Sequence, residues 1–278
     1  MKTDSIQNQL IYTTVRIVAK DGDLSSMGTG FFVQHDTEKG PEIFLATNEH
    51  VVGNYETAEF IFCAKNGNQE PDDTRHVVVT LSKLQTFCIK HPNMDICLIN
   101  MKVILEAAQA QGKQVFFMTI GKDFFITDKI VSDVSAIEDV IMIGYPEGLM
   151  DSRNNKPVVR KGITATSLSL DFEGRREFVI DAACFHGSSG SPVFLDRTGL
   201  YNKQSENGFE IGVKHTYCFI GMLRAVPART VKGDIKIVDV PTGKKLISES
   251  ELMTNLGYVI KSSCIEEMIE KVVPLHMV

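Results

Sequence analysis

The segment Phe185-His186-Gly187-Ser188-Ser189-Gly190-Ser191-Pro192-Val193-Phe194 holds the residue types that nucleophilic hydrolysis requires. A nucleophilic serine needs an exposed hydroxyl on a tight turn, with backbone N–H groups aimed at the oxyanion that develops. Glycines at 187 and 190 supply the backbone freedom for such a turn. Three serines compete for the role, and a Ser/Gly surface loop between strands would read the same way. A G-x-S-x-G elbow is excluded because position 191 is serine. The folds that use that elbow also place their histidine after the serine. Only His215 and His276 follow it here, without a supporting pattern.

Two earlier segments could supply a base and its orienting acid. In Ile43-Phe44-Leu45-Ala46-Thr47-Asn48-Glu49-His50-Val51-Val52, an apolar strand runs into a small polar turn and then a histidine. That order places the imidazole at a strand end facing a cleft, although a structural histidine could occupy the same place. In Asn93-Met94-Asp95-Ile96-Cys97-Leu98-Ile99, an aspartate precedes a buried apolar run. A carboxylate entering a core is costly unless it is hydrogen-bonded. A histidine N–H would satisfy it, and a turn residue that starts a strand is the alternative.

Together the segments fall in the order His, Asp, Ser and carry three further marks. These are T-x-x-H at Thr47–His50, D-[IL]-x-L-[IL] at Asp95–Ile99, and G-x-S-G-[GS]-P at Gly187–Pro192. With them the chain resembles the trypsin-like (chymotrypsin-fold) serine peptidases over roughly residues 10–270. Met27-Gly28-Thr29-Gly30-Phe31-Phe32-Val33 is similar to the G-[ST]-G-F-x-[IV] strand of bacterial members, and Gly190–Phe194 to their glutamyl-endopeptidase-like branches.

The resemblance implies an all-β fold of two six-stranded antiparallel barrels with the active site in the cleft between them, a short linker helix and a C-terminal helix. It implies a triad of His50, Asp95 and Ser189, with the N–H groups of Gly187 and Ser189 as the oxyanion hole. It further implies a pocket lined by Ala183, Cys184, Leu223 and Ala225, with Arg224–Val226 pairing to substrate backbone. The chain departs from the trypsin pattern at three places. Ser188 replaces the acid that pairs with a new N-terminus on zymogen activation. Ala183 replaces the acid at the pocket base, and Leu223 the histidine of glutamyl-specific enzymes. A small or medium apolar residue before the scissile bond is therefore expected.

The elements that must position these residues read mostly as strands. Alternating or β-branched runs predict strands at Thr13–Ala19, Met27–Val33, Glu42–Thr47, Glu59–Ala64, His76–Leu81 and Asp95–Asn100. Polar segments at His35–Pro41 and Asn66–Asp73 break them. Lys102–Lys113 predicts a helix and Thr127–Glu138 a helical turn. Strands resume at Val140–Gly144, Phe178–Ala182, Pro192–Leu195 and Tyr217–Leu223. Ile235–Val240 and Lys244–Ile247 flank a turn at Pro241-Thr242-Gly243. Gly257–Lys261 predicts a last strand and Cys264–Val272 a helix, with Ser263 and Glu266 spaced as a capping box.

The division that follows is 1–112 for a unit carrying His50 and Asp95, 113–137 for a bridge, 138–262 for a unit carrying Ser189, and 263–278 for a helix. Residues 226–250 form an insertion before the last strand.

Composition bounds the function. With 278 residues, 43% of them hydrophobic and 23% charged, the chain can bury a sizeable core. A formal net charge of −6 argues against a nucleic-acid partner. No apolar run is long enough to span a membrane. The stretch MKTDSIQNQL lacks the features of a secretory signal, so the cytoplasm is the expected location. None of Cys63, Cys88, Cys97, Cys184, Cys218 and Cys264 stands in a C-x-x-C pair, so neither a metal site nor a cofactor is expected, and thiols are expected to stay reduced. The implied substrate is a polypeptide. A peptidase loose in a cytoplasm also needs restraint, from the 226–250 insertion or from a regulatory protein partner. A catalytically silent peptide-binding scaffold on the same fold is the competing reading.

Overall fold

A computed structural model gives the architecture for residues 3–146, 151, 153–205, 208–225, 228–234, 247–253 and 255–276. The first element is a short helix, α1 (Ile6–Leu10), and β1 (Thr14–Asp21) follows it. Val15, Ile17 and Ala19 of β1 are fully buried on one face, the two-residue period of a pleated strand. β2 (Leu24–Thr37) and β3 (Gly40–Thr47) form one long hairpin that turns through Glu38 and Lys39. The polar stretch His35–Pro41, expected to separate the strands, instead continues their ladder, because polar side chains are tolerated on hairpin ends facing water.

The chain then makes the helical turn α2 (Glu49–Val52), β4 (Thr57–Lys65), β5 (Pro71–Ser82), β6 (Ile89–Lys90) and β7 (Cys97–Asn100). Helix α3 (Met101–Ala110) follows, started by the Asn100 side chain accepting from the Lys102 N–H. Its Met101, Ile104 and Ala108 are buried along one face. The short strand β8 (Val115–Phe116) returns to β4, and helix α4 (Asp128–Asp133) leads toward the second unit.

These strands form one antiparallel eight-stranded sheet in the order β5-β4-β1-β2-β3-β7-β6, with β8 beside β4. The expected pair of closed barrels is therefore corrected for this half: the sheet is open. β6 is only two residues long and pairs with β7 alone, and no ladder joins it to β5.

The second half is a closed barrel. It comprises β9 (Asp139–Gly144), β10 (Val158–Thr164), β11 (Glu177–Asp181), β12 (Pro192–Ser205) and β13 (Gly208–Ala225), then β14 (Ala228–Asp234), β15 (Ile247–Met253) and β16 (Leu256–Lys261), with helix α5 (Ser262–His276) last. The barrel order is β10-β11-β16-β13-β12-β9, and β14 and β15 pair with each other apart from it. The expected strands Ile235–Val240 and Lys244–Ile247, with the turn at 241–243, fall almost wholly outside the described residues. The expected capping box is not formed: α5 already starts at Ser262, and the Ser263 hydroxyl accepts from Arg176 Nη2 at 2.9 Å. Among the described residues no helix is long and apolar enough to cross a membrane. All six cysteines are free thiols.

A shared core joins sheet, barrel and α5. Phe31 and Phe44 of the sheet meet Phe194, Phe219 and Ile260 of the barrel and Ile265 and Ile269 of α5, all essentially fully buried. Phe219 is the hub, with ring centroids 5.2 Å from Phe31, 5.1 Å from Phe125 and 5.8 Å from Phe194. This contact fixes how the ends of the β2–β3 hairpin face the turn before β12.

Candidate active site

His50 sits on α2, a helical turn and not a strand end. Val51 and Val52 are fully buried beneath it and anchor the turn, while the imidazole stays half exposed. Asp95 lies in the loop before β7. Its Oδ2 accepts from His50 Nδ1 at 2.6 Å, and its Oδ1 accepts from the His50 backbone N–H at 3.0 Å. A carboxylate can only accept, so the ring carries its proton on Nδ1 and leaves Nε2 as the free basic nitrogen. Burial pushes the Asp95 carboxyl up, but hydrogen bonds from the His50 ring and backbone, with the nearby charges of His50 and Arg224, hold it below its ordinary value on balance.

The loop carrying Asp95 is itself built by side chains. Asn48, fully buried just before α2, donates from Nδ2 to the Asp95 carbonyl at 2.8 Å. His91 Nδ1 accepts from the N–H groups of Asn93 and Met94 at 3.1 and 3.0 Å, which requires that nitrogen to be unprotonated.

Ser189 lies on a tight turn between β11 and β12. Ser188 and Ser191 are buried at 1% and 0% exposure, whereas Ser189 is partly exposed. The Ser188 N–H bonds the Phe185 carbonyl and the Ser191 N–H bonds the Ser188 carbonyl, both at 3.0 Å. Gly187 and Gly190 take φ of +81° and +85°, a region that disfavours any residue with a Cβ. A Cβ on Gly190 would also lie 1.9 Å from the Thr29 carbonyl oxygen. Among the described residues no backbone carbonyl accepts from the N–H groups of Gly187 and Ser189.

The turn is pinned to the sheet through Thr29 of β2. Its N–H donates to the Ser189 carbonyl at 2.8 Å and its hydroxyl to the Gly187 carbonyl at 3.0 Å. A Cβ on the neighbouring Gly28 would touch both Val51 Cγ2 and the Ser189 carbonyl, at 2.5 and 3.2 Å. The turn bearing Ser189 and the turn bearing His50 therefore meet across β2.

A family model for the trypsin-like peptidase domain matches residues 28–200, more than half of the chain and all three of these turns. The chain belongs to that family. Solved structures with similar folds include a serine endoprotease from Yersinia pestis, at 14% identity over 98% of this chain and 68% of that one, with a TM-score of 0.47. The MamO protease domain from Magnetospirillum magneticum is 11% identical over 94% of this chain and 98% of that one, with a TM-score of 0.46. The tobacco etch virus protease bound to product is 11% identical over 82% of this chain and 73% of that one, with a TM-score of 0.45. No curated protein sequence matches the chain.

In this trypsin-like peptidase domain the Ser189 hydroxyl donates to the Arg224 carbonyl at 3.4 Å, a long bond, and among the described residues it makes none to His50. Such bonds are often loose before substrate binds. The expected pocket residues divide. Cys184 and Leu223 are fully buried and pack on each other's side of Gly257, where a Cβ would lie 2.9 Å from Cys184 Sγ and 2.6 Å from Leu223 Cδ1. Their side chains belong to the barrel's apolar core. Leu223 acts through its backbone, accepting from the Gly190 N–H and donating to the Ser191 carbonyl, both at 2.9 Å.

Ala183 is half-buried. The Arg224 guanidinium is held by Glu177, with Nε 2.8 Å and Nη2 3.1 Å from its carboxylate oxygens. Ala225 is described only as the backbone end of β13, opposite Tyr258, and Val226 lies outside the described residues.

Asn48, Thr29 and Thr47 were not singled out by chemistry in the sequence. Thr47 Oγ1 donates to the Thr29 carbonyl at 2.8 Å, buried within the sheet. Their only signal was their place inside the T-x-x-H and G-T-G-F runs.

Proposed function

We propose that the chain is a serine endopeptidase that hydrolyses polypeptides through an acyl-enzyme intermediate. The observation that carries the reading is the double hydrogen bond of Asp95 to His50, which leaves Nε2 basic beside the turn that exposes Ser189. In the first step His50 Nε2 takes the Ser189 proton as Oγ bonds the scissile carbonyl carbon. The oxyanion is held by the N–H groups of Gly187 and Ser189, and losing one such donor costs about 3–4 kcal/mol of transition-state stabilisation. His50 then protonates the leaving amine as the C–N bond breaks. In the second step water attacks the ester, His50 takes its proton, and Ser189 recovers that proton as the acid product leaves.

Substrate backbone pairs with the stretch 224–226, of which the Arg224 carbonyl accepts from the Ser189 hydroxyl. With no acid at Ala183, a small or medium apolar residue before the scissile bond fits this end of the barrel best. A peptide library with a strong preference for Lys, Arg or Glu there would overturn that specificity. The segment holding β14 and β15, or a protein partner, restrains the enzyme until it is needed.

The test is covalent labelling by a fluorophosphonate. Labelling at Ser189 that disappears in Ser189→Ala and His50→Ala supports the reading, and no labelling of the wild type sinks it. One observation favours the second reading, a silent peptide-binding scaffold: the Ser189 hydroxyl is turned to Arg224 and not to His50. Peptide capture without cleavage would decide for it.

A further inference from the structure

We propose that the Thr29 side-chain hydroxyl is a positioning residue for catalysis, setting the oxyanion-binding conformation of the Gly187–Gly190 turn from the opposite sheet. The inference rests on the serine-peptidase reading above.

Thr29 is a polar residue fully buried on β2. Two of its polar groups, the hydroxyl and the N–H, donate to the nucleophile turn. Its hydroxyl donates to the Gly187 carbonyl at 3.0 Å and accepts from the Tyr145 N–H at 2.9 Å, just beyond β9. Its N–H donates to the Ser189 carbonyl at 2.8 Å. Its own carbonyl accepts from Thr47 Oγ1 at 2.8 Å and closes against Gly190.

The peptide groups of the turn explain what the hydroxyl adds. The carbonyls of Gly187 and Ser189 lie on either side of the Ser188–Ser189 peptide, and one residue of the sheet grips both. Any residue at position 29 would supply the backbone bond to Ser189. The bond to Gly187 needs a side-chain donor, here the hydroxyl. Glycine has the widest choice of backbone conformations, so at Gly187, held at φ +81°, a carbonyl left unpaired in a buried place would be free to rotate toward another donor. That rotation would turn the adjoining N–H groups away from the oxyanion. The hydroxyl accepts from the Tyr145 N–H, and its one proton is directed to the Gly187 carbonyl, which can only accept. β2, β9 and the nucleophile turn are thus locked by a single oxygen atom.

The role is felt in the transition state and hardly in substrate binding, so the test reads kcat against KM. In the full-length protein, Thr29→Val keeps the shape of the side chain and removes the hydroxyl. Its kcat and fluorophosphonate labelling rate should fall about 10- to 100-fold, the scale of a sub-ångström to ångström displacement of catalytic groups. KM should stay within about threefold of wild type. Thr29→Ser, which keeps the hydroxyl, should return kcat to within about threefold. Leu81→Ala, a core truncation in β5 far from the turn in sequence, serves as a stability match: it should lower the melting temperature without lowering kcat.

A folded Thr29→Val protein with wild-type kcat overturns the proposal, as does an equal loss of kcat in Leu81→Ala. If Thr29→Val does not fold, Thr29→Cys replaces it. A thiol is a weaker donor, so an intermediate kcat supports the proposal and a wild-type value overturns it. Failure of the peptidase reading is separate and visible first, since wild-type protein would then show no labelling at Ser189.

Discussion

Asp95→Asn isolates the one bond on which the chemistry of the site depends. In the wild type, Oδ1 accepts from the His50 backbone N–H and Oδ2 accepts from the ring Nδ1. An amide has one acceptor oxygen and one NH2 donor. The backbone N–H of His50 can only donate, so the oxygen must stay on it and the NH2 must face the ring. Nδ1 then becomes an acceptor, and the neutral ring carries its proton on Nε2, where it cannot take one from Ser189. A tautomer error of this kind in a comparable triad lowers kcat about 10⁴-fold, or roughly 5.5 kcal/mol.

Two assays separate this from a folding defect. Steady-state kcat and the pre-steady-state burst should both collapse. The melting temperature should move little, because the amide keeps the shape of the carboxylate and both hydrogen bonds, the one to the ring with its direction reversed. The sign of the accompanying pH effect follows from the lowered carboxyl pKa of Asp95. Its stabilising contribution is present above the unfolded value of about 3.9 and is lost as pH falls through the lower folded value, so the variant should lack this acid-side slope. A folded Asp95→Asn enzyme with a tenth or more of wild-type kcat would refute the tautomer argument.

Three other outcomes follow from the same geometry. Gly190→Ala meets both a left-handed φ and the Thr29 carbonyl, so it should cost more than about 2 kcal/mol in denaturant unfolding and abolish labelling of Ser189. A stable, reactive variant would show that the turn is not locked. Burial, with the charges of Lys271 and Arg176, pushes the His91 pKa down, so the fold holds this ring neutral while the unfolded chain binds a proton near about pH 6.5. That contribution to stability is present above about 6.5 and shrinks as pH falls toward the lower folded value. Urea midpoints at pH 7.5 and 5.5 should therefore converge in His91→Gln relative to wild type, and identical slopes would count against it. Phe219→Ala removes the hub of the shared core and should cost about 3–5 kcal/mol in thermal or chemical unfolding. A loss below about 1 kcal/mol would mean that sheet and barrel do not depend on this ring.

Much of this was legible in the sequence because strands announce themselves by alternation. β1, β4, β7, β9, β11 and β16 lie within a few residues of their expected places. α3 is legible from the helix-favouring Leu, Glu and Ala content of Lys102–Lys113. β10 was missed: Val158-Val159-Arg160-Lys161-Gly162-Ile163-Thr164 carries an Arg-Lys pair and a glycine, and only its ladders to β9 and β11 make it a strand. β6 and β8 are two residues each and have no local signature. The open first sheet could not be read either, since closure depends on which edges meet. At the site, residue types and order pointed to His50 and Asp95, which are hydrogen-bonded to each other, and to Ser189, which bonds Arg224. The pinning by Thr29 and Asn48 crosses 158 and 47 residues of chain and is invisible to any local pattern. The close approach of Cys184 and Leu223 to Gly257, where a Cβ would lie 2.9 and 2.6 Å from them, also has no local signature.

The position of β16 has a consequence for synthesis. It is the last strand in the sequence, yet it lies between β11 and β13 in the barrel. Until residues 256–261 leave the ribosome, the barrel has a gap in its wall and β13 lacks one of its two neighbours. α5, which completes the shared core, emerges later still. The turn bearing Ser189 is thus translated about 70 residues before the wall that steadies it exists. A nascent chain carries the parts of the site without their alignment, and alignment arrives only once β16 and α5 have been made.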